Sequence, residues 1–145
     1  MGISENAIAS GDAIMDYIPQ RPPIVMVDAF FGIDGNRSCS GLTIAPDNLF
    51  VHGSRFMEPG IIEHIAQSCA LRVGYLCRER NSPVPLGYIA AVKNMTLHNL
   101  PEVGDCLRTT VTVEQEVFDI TLISAEIRRN KNLIIACEMK IFLKQ

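Results

Sequence analysis

The sequence predicts an α+β fold in which an antiparallel sheet wraps around one long central helix. Three observations carry this: a single long helical pattern that is apolar around most of its circumference, a run of long alternating strands behind it, and short turn signals between those strands. A helix apolar nearly all round needs cover on several sides, and the concave face of a curled sheet needs an apolar partner.

Residues 1–11 are small and polar and are expected to form a flexible lead-in to a single domain over residues 12–145. A short helical turn at Asp12 to Tyr17 is halted by Pro19. Pro22-Pro23 then opens a strand, Ile24 to Phe31, closed by Gly32 and the Asp34-Gly35-Asn36 turn, and the return strand runs from Ser38 to Ile44. After a loop from Leu49 to Glu58, the helical pattern extends from Pro59 to about Arg78, with proline at a favourable first position. Ile61, Ile62, Ile65, Ala66, Cys69, Ala70, Val73, Gly74 and Leu76 cover most of its surface. Asn81 to Pro85 is a loop. Four strands follow, at Leu86 to His98, Asp105 to Val117, Ile120 to Arg129 and Leu133 to Leu143; in the last, Leu133, Ile135, Cys137, Met139, Ile141 and Leu143 share one face. Two strands, one buried helix and four long antiparallel strands make the hotdog arrangement. A cystatin-like sheet is the structural rival, but it leaves one face of its helix in water.

Composition narrows the function. A chain of 145 residues with 48% hydrophobic and 20% charged residues has enough apolar material for one core without staples. The net charge of −3 and scattered basic residues argue against nucleic acid, and no apolar run is long enough to span a bilayer. Neither a basic start nor an apolar core marks a signal peptide, so a cytoplasmic location is expected. Five cysteines lack CxxC or Cys/His ligand spacing. They read as buried reduced thiols, with no metal and no cofactor called for.

The chemistry concentrates between Asn48 and Gln67. A polar loop carrying His52 and Arg55 runs into the amino end of the apolar helix, where backbone N–H groups favour developing negative charge. Gly60 would let a carbonyl oxygen approach closely. Glu63, one turn in, sits on a helix too buried to carry a bare carboxylate without cause, which makes it the acid/base candidate. Its bland alternative is a structural carboxylate paired with Arg55 or Arg72. Gln67 lies one turn beyond Glu63 on the same side and could hydrogen-bond to it. His64 is about 100° round the helix from Glu63, so packing or an interface is its expected role. His98 reads as uninvolved, and Arg78, Arg80 and Lys93 as solvated charges.

This stretch resembles the signature of the β-hydroxyacyl-[acyl-carrier-protein] dehydratases, in which a Pro-Gly opens the helix and a Glu-x-x-Ala-Gln lies inside it. Pro59-Gly60 and Glu63-His64-Ile65-Ala66-Gln67 supply both, about two residues closer together than in the family. Upstream, Ile18-Pro19-Gln20-Arg21-Pro22-Pro23 is similar to the family's Leu-Pro-His-Arg-x-Pro, with Gln20 where histidine is usual; Val25-Met26-Val27-Asp28 is similar to its Leu-Val-Asp. Pro101-Glu102-Val103-Gly104-Asp105 resembles its Pro-Gly-Asp turn. The family's catalytic histidine lies in Gly-His-Phe-Pro, whereas this chain reads Gly53-Ser54-Arg55-Phe56-Met57. Arg55 therefore takes the histidine's place, with His52 three residues away. The pattern is closer to the divergent dehydratase-like proteins of bacterial aryl-polyene and related pigment clusters.

The resemblance implies a 3-hydroxyacyl thioester dehydratase, with carrier protein or coenzyme A carrying the substrate. It implies His52 as base, Glu63 as acid, Gly60 N–H as the group polarising the thioester carbonyl, and Arg55, Phe56 and Gln67 at the substrate. It also implies a homodimer or higher even oligomer in which the histidine of one subunit faces the glutamate of another. The acyl chain would lie beside the helix near Phe56, Met57, Ile61 and Ile65. Acyl-thioester hydrolysis, or a non-catalytic acyl-binding subunit, are the alternatives; arginine in the histidine's place favours the latter.

Overall fold

The computed structural model describes residues 2–144; Met1 of the expected lead-in and Gln145 at the end of the expected domain lie outside the described residues. In chain order the elements are β1 (Ala9–Ser10), a 3-10 turn (Gly11–Asp16), β2 (Ala29–Asp34), β3 (Arg37–Thr43), β4 (Val51–His52), β5 (Arg55–Phe56), the helix α1 (Glu58–Glu79), β6 (Leu86–Leu97), β7 (Cys106–Val117), β8 (Ile120–Arg129) and β9 (Asn132–Lys144). Seven strands form one antiparallel sheet in the order β1-β2-β3-β7-β8-β9-β6, and β4 and β5 form a separate hairpin. The chain leaves α1, lays β6 at the far edge, and returns to β7 at the sheet's centre. This is the hotdog arrangement that the pattern of elements predicts.

Alternation decides which face meets the helix. Leu107, Thr109 and Val111 of β7, Ile123, Ala125 and Ile127 of β8, and Ile135, Cys137, Met139 and Ile141 of β9 are buried. The register sets Ile123 opposite Met139, Ala125 opposite Cys137 and Ile127 opposite Ile135, so these side chains form rows across the concave face. Ile61, Ile65 and Cys69 of α1 belong to the same core cluster. Truncating a fully buried residue of it, such as Ile65→Ala, would cost about 2–5 kcal/mol.

A second, smaller cluster joins Ile14, Ile18, Val27, Phe30 and Leu71 beneath the carboxyl half of α1. Here residue 74 must be glycine on packing grounds, because a Cβ there would stand 1.8 Å from the Tyr17 carbonyl oxygen. The helix and the 3-10 segment touch backbone to backbone.

Three elements differ from the sequence-based expectation. The strand expected from Ile24 begins at Ala29, because the backbone of residues 24–26 is bonded to side chains of α1 instead of to a neighbouring strand. The expected loop Leu49 to Glu58 contains the β4–β5 hairpin, turned at Gly53 with φ +65°. The expected loose lead-in is tied down over its described part: Ser4 N and Ile8 N donate to Phe31 O and Phe30 O at 2.8 and 2.7 Å. Arg108 reaches across to the Ser4 and Glu5 carbonyls while its guanidinium lies 3.8 Å from the centre of the Phe31 ring. Composition alone misses this, because backbone donors and one arginine, not apolar side chains, hold the segment.

Among the described residues strand β6 pairs with β9 alone and forms an open edge. It exposes Leu86, Tyr88, Ile89 and Leu97. Cys39, Cys69, Cys77 and Cys137 are buried free thiols, whereas Cys106, expected inside with them, is exposed at the start of β7.

Candidate active site

Helical periodicity places Glu63, Ala66, Gln67 and Ala70 along one stripe of α1. Glu63, Ala66 and Ala70 line a cavity of about 320 Å³ closed on its other sides by Pro19, Gln20, Ile24, Pro85, Gly87, Tyr88, Ile89 and Ile141, with Cys69 at its wall. The two alanines leave room for it, and β6 supplies the rim. Glu63 is half-buried.

Gln67 is fully buried and fixes this carboxylate. Its Oε1 accepts the Met26 N–H at 2.7 Å, which leaves Nε2 to donate to Ile24 O and to Glu63 Oε2, both at 2.9 Å. The backbone acceptor and donor on the 24–26 segment fix which end of the amide faces Glu63. Oε2 is thus an acceptor of the Gln67 amide. Neither Arg55 nor Arg72 forms an ion pair with Glu63 among the described residues.

His64, facing away as its helical position predicts, is fully buried. Its Nδ1 is 2.7 Å from Met26 O, which can only accept, so Nδ1 carries the hydrogen and Nε2 accepts from Thr109 Oγ1 at 2.7 Å. Burial pushes its pKa down to about 4 against the opposing pull of the Met26 carbonyl. The ring is a neutral clamp joining α1, the 24–26 segment and β7. Burial likewise pushes the Cys69 thiol up to about 11, so it meets the cavity as a protonated thiol, not as a nucleophile.

The remaining sequence-predicted residues lie elsewhere. His52 is exposed on β4 opposite Arg55 and does not border the cavity of Glu63 within the chain. Arg55 borders a separate polar cavity of about 390 Å³ with His98, Glu102 and Arg129. Phe56 is buried in the main core, as are Ile61 and Ile65, and none of the three lines the Glu63 cavity, which Ile24, Ala66, Ala70 and Ile141 border. Gly60 N–H donates to Met57 O at 3.0 Å. A Cβ at Gly60 would meet Phe56 Cε1 at 2.5 Å and Phe50 Cβ at 2.6 Å, so packing of two aromatic residues favours glycine there. Sequence reasoning missed Gln20 and the β6 rim, although the alanines at 66 and 70, three and seven residues from Glu63, are a readable sign of a groove along that stripe.

Comparison with known proteins agrees with this architecture. The sequence model of the ApeP-like family, described as ApeP dehydratase, matches residues 12–145. The chain is 30% identical over 110 residues to the 3-hydroxyacyl-[acyl-carrier-protein] dehydratase FabZ of Rickettsia massiliae, covering 71% of this chain and 74% of the relative. Against the FabZ of Rickettsia bellii it is 28% identical over 122 residues, covering 79% and 82%. In fold it is similar to a chain of the dehydratase heterocomplex ApeI:P from Xenorhabdus doucetiae, with a TM-score of 0.81 at 15% identity over 91% of each chain. A hypothetical thioesterase from Streptococcus pneumoniae, solved with coenzyme A, aligns with a TM-score of 0.62 at 8% identity over 79% of this chain and 84% of that one. With most of its length accounted for by one sequence model, and with its helix, sheet and Glu63 stripe laid out as described, the chain belongs to the ApeP-like dehydratase family.

Proposed function

We propose that this chain takes part in the dehydration of 3-hydroxyacyl thioesters, on carrier protein or coenzyme A, with Glu63 as the acid. One observation carries the reading: a half-buried carboxylate, oriented by Gln67, borders a largely apolar cavity of about 320 Å³. Protonated Oε1 would give its proton to the C3 hydroxyl as the C3–O bond breaks and water leaves. A base takes the C2 proton, and the electron pair of that C–H bond becomes the C2–C3 double bond. The base then returns its proton to Glu63 through solvent.

No histidine is among the described residues lining that cavity, which supports a base supplied by another chain. The open β6 edge, with Tyr88 and Ile89 both exposed and at the cavity rim, supports edge-to-edge assembly there. A homodimer would supply His52 of a second copy, Gly60 and Arg55 then acting in packing and at the polar cavity. The second reading is a subunit completed by a different hotdog chain. Arg55 in the family histidine's place favours it, as does the fold likeness to a chain of a heterocomplex. The free thiols support a reducing, cytoplasmic setting.

The test is to supply the purified protein with 3-hydroxyacyl and saturated acyl thioesters, following enoyl absorbance and free thiol while light scattering gives the mass. Enoyl formation by a dimer, lost in Glu63→Gln and in His52→Ala, is the expected result. Thiol release would replace dehydration with hydrolysis. Acyl binding without turnover would favour the heteromeric reading.

A further inference from the structure

We infer that His64 is a positioning residue for dehydration, fixing the orientation of the Glu63 carboxylate through Met26 and Gln67. The inference rests on the dehydration reading and deepens it. A continuous chain of hydrogen bonds links the two side chains. Thr109 Oγ1 donates to His64 Nε2 and His64 Nδ1 donates to Met26 O, each at 2.7 Å. Met26 N–H then donates to Gln67 Oε1 at 2.7 Å, and Gln67 Nε2 to Glu63 Oε2 at 2.9 Å. Thr109, His64 and Gln67 are fully buried, and Met26 is 1% exposed. Water therefore cannot take over a bond that any of them loses, and each bond helps to hold the next.

Met26 is the link, because it offers α1 both its N–H and its C=O, the two groups that a strand residue offers a neighbouring strand. Strand β2 begins only at Ala29. At residue 26 the side chains of His64 and Gln67, three residues apart on the helix, take the place of that neighbour. Gln67 turns Nε2 towards Glu63 because its Oε1 is taken by the Met26 N–H. The direction of that N–H is in turn set with the carbonyl of the same residue, and His64 Nδ1 is the donor that holds it. His64 does not line the Glu63 cavity, so its effect passes through Met26. A shift of about 1 Å in a reacting group is enough to cost roughly 100-fold in rate. The rival account is packing: the Met26 side chain lies in the main core and would hold the segment without His64.

Two substitutions that preserve opposite ends of the ring separate these accounts. Asparagine carries an amide nitrogen as far along the side chain as Nδ1, so His64→Asn keeps a donor for Met26 O and gives up Thr109. Glutamine carries one as far as Nε2, so His64→Gln keeps contact with Thr109 and gives up Met26. Enoyl formation from 3-hydroxyacyl thioesters is measured on variants that circular dichroism shows to be folded. His64→Gln is expected to lose about tenfold or more in kcat with KM within about threefold, while His64→Asn stays within about threefold of wild type in both. Equal losses in the two variants, or a wild-type kcat in His64→Gln, overturn the assignment.

A second readout covers a His64→Gln protein that does not fold. Because coupling along a chain is reciprocal, Glu63→Gln should shift the Gln67 side-chain amide, the Met26 N–H and the His64 Nδ1–H signals in proton–nitrogen spectra. A His64 signal left where it stands in wild type overturns the assignment whatever the kinetics show. If turnover depends on Glu63 but ignores His64, this inference alone fails; if wild type shows no Glu63-dependent turnover, the dehydration reading fails with it.

Discussion

Gln67 grips Glu63 from one turn further along α1, its Nε2 donating to Oε2 at 2.9 Å while its Oε1 is held by the Met26 N–H at 2.7 Å. The same side chain therefore positions the Glu63 carboxylate and pins the 24–26 segment to the helix. Gln67→Leu would strand the buried Met26 N–H and the part-buried Ile24 carbonyl, each costing about 1–3 kcal/mol. Urea unfolding should show a loss of about 2–6 kcal/mol, with the dehydration rate falling more than substrate affinity. Unfolding at the wild-type midpoint would mean that the segment finds other partners and that the grip is incidental.

His64 makes stability depend on pH in a direction that can be worked out. Its folded pKa is about 4, below its ordinary value of 6.5, because burial opposes the charged ring. The unfolded chain therefore takes up a proton near pH 6.5 that the folded chain refuses until about pH 4. The ring's contribution is complete above 6.5 and is lost as pH falls towards 4, by up to roughly 3 kcal/mol. Carboxylates add their own acid loss, so the measurement is a difference. Wild type should lose about 3 kcal/mol more than His64→Gln between pH 7 and 4, and parallel curves would show that the ring is not held neutral.

The hotdog outline was legible because alternation over four long strands and an apolar helix leave few ways to bury both. Glu63 was legible for a related reason, as a carboxylate standing among Ile61, Ile62, Ile65 and Ala66. What remained hidden depends on register between distant segments. Gln67 meets Met26 across 41 residues and His64 meets Thr109 across 45, and no local pattern encodes such pairs. Arg55 and Phe56, adjacent in the hairpin, point to a polar cavity and to the core respectively. Strand alternation explains that split once the hairpin is known, but Gly53-Ser54 read as loop and the hairpin was missed.

Two helix glycines separate packing from ligand access. At Gly60 a Cβ would press on Phe56 and Phe50 side chains at 2.5 and 2.6 Å, and rings can shift. At Gly74 it would stand 1.8 Å from the backbone oxygen of Tyr17, which cannot move without the 3-10 segment. Gly60→Ala should cost about 1–3 kcal/mol, and Gly74→Ala more than that. Thermal unfolding of both variants checks the order. A Gly60→Ala protein as stable as wild type but inactive would support the ligand-approach role read from the sequence.

Phe118 presents the opposite situation, a residue whose removal should help the isolated fold. It occupies the two-residue turn between the paired Val117 and Ile120 with φ +55°, a left-handed conformation that burdens a bulky side chain, and it is fully exposed. Among the described residues nothing covers the ring to offset that strain. Phe118→Gly relieves about 1–2 kcal/mol of it, less the added freedom of glycine in the unfolded chain, roughly 0.5–1 kcal/mol. The midpoint of thermal unfolding should therefore rise by a few degrees, on the order of 2–4 °C for a domain of this size. A fall instead would show that the ring is covered in the assembled protein, and the same variant examined by light scattering would then lose mass.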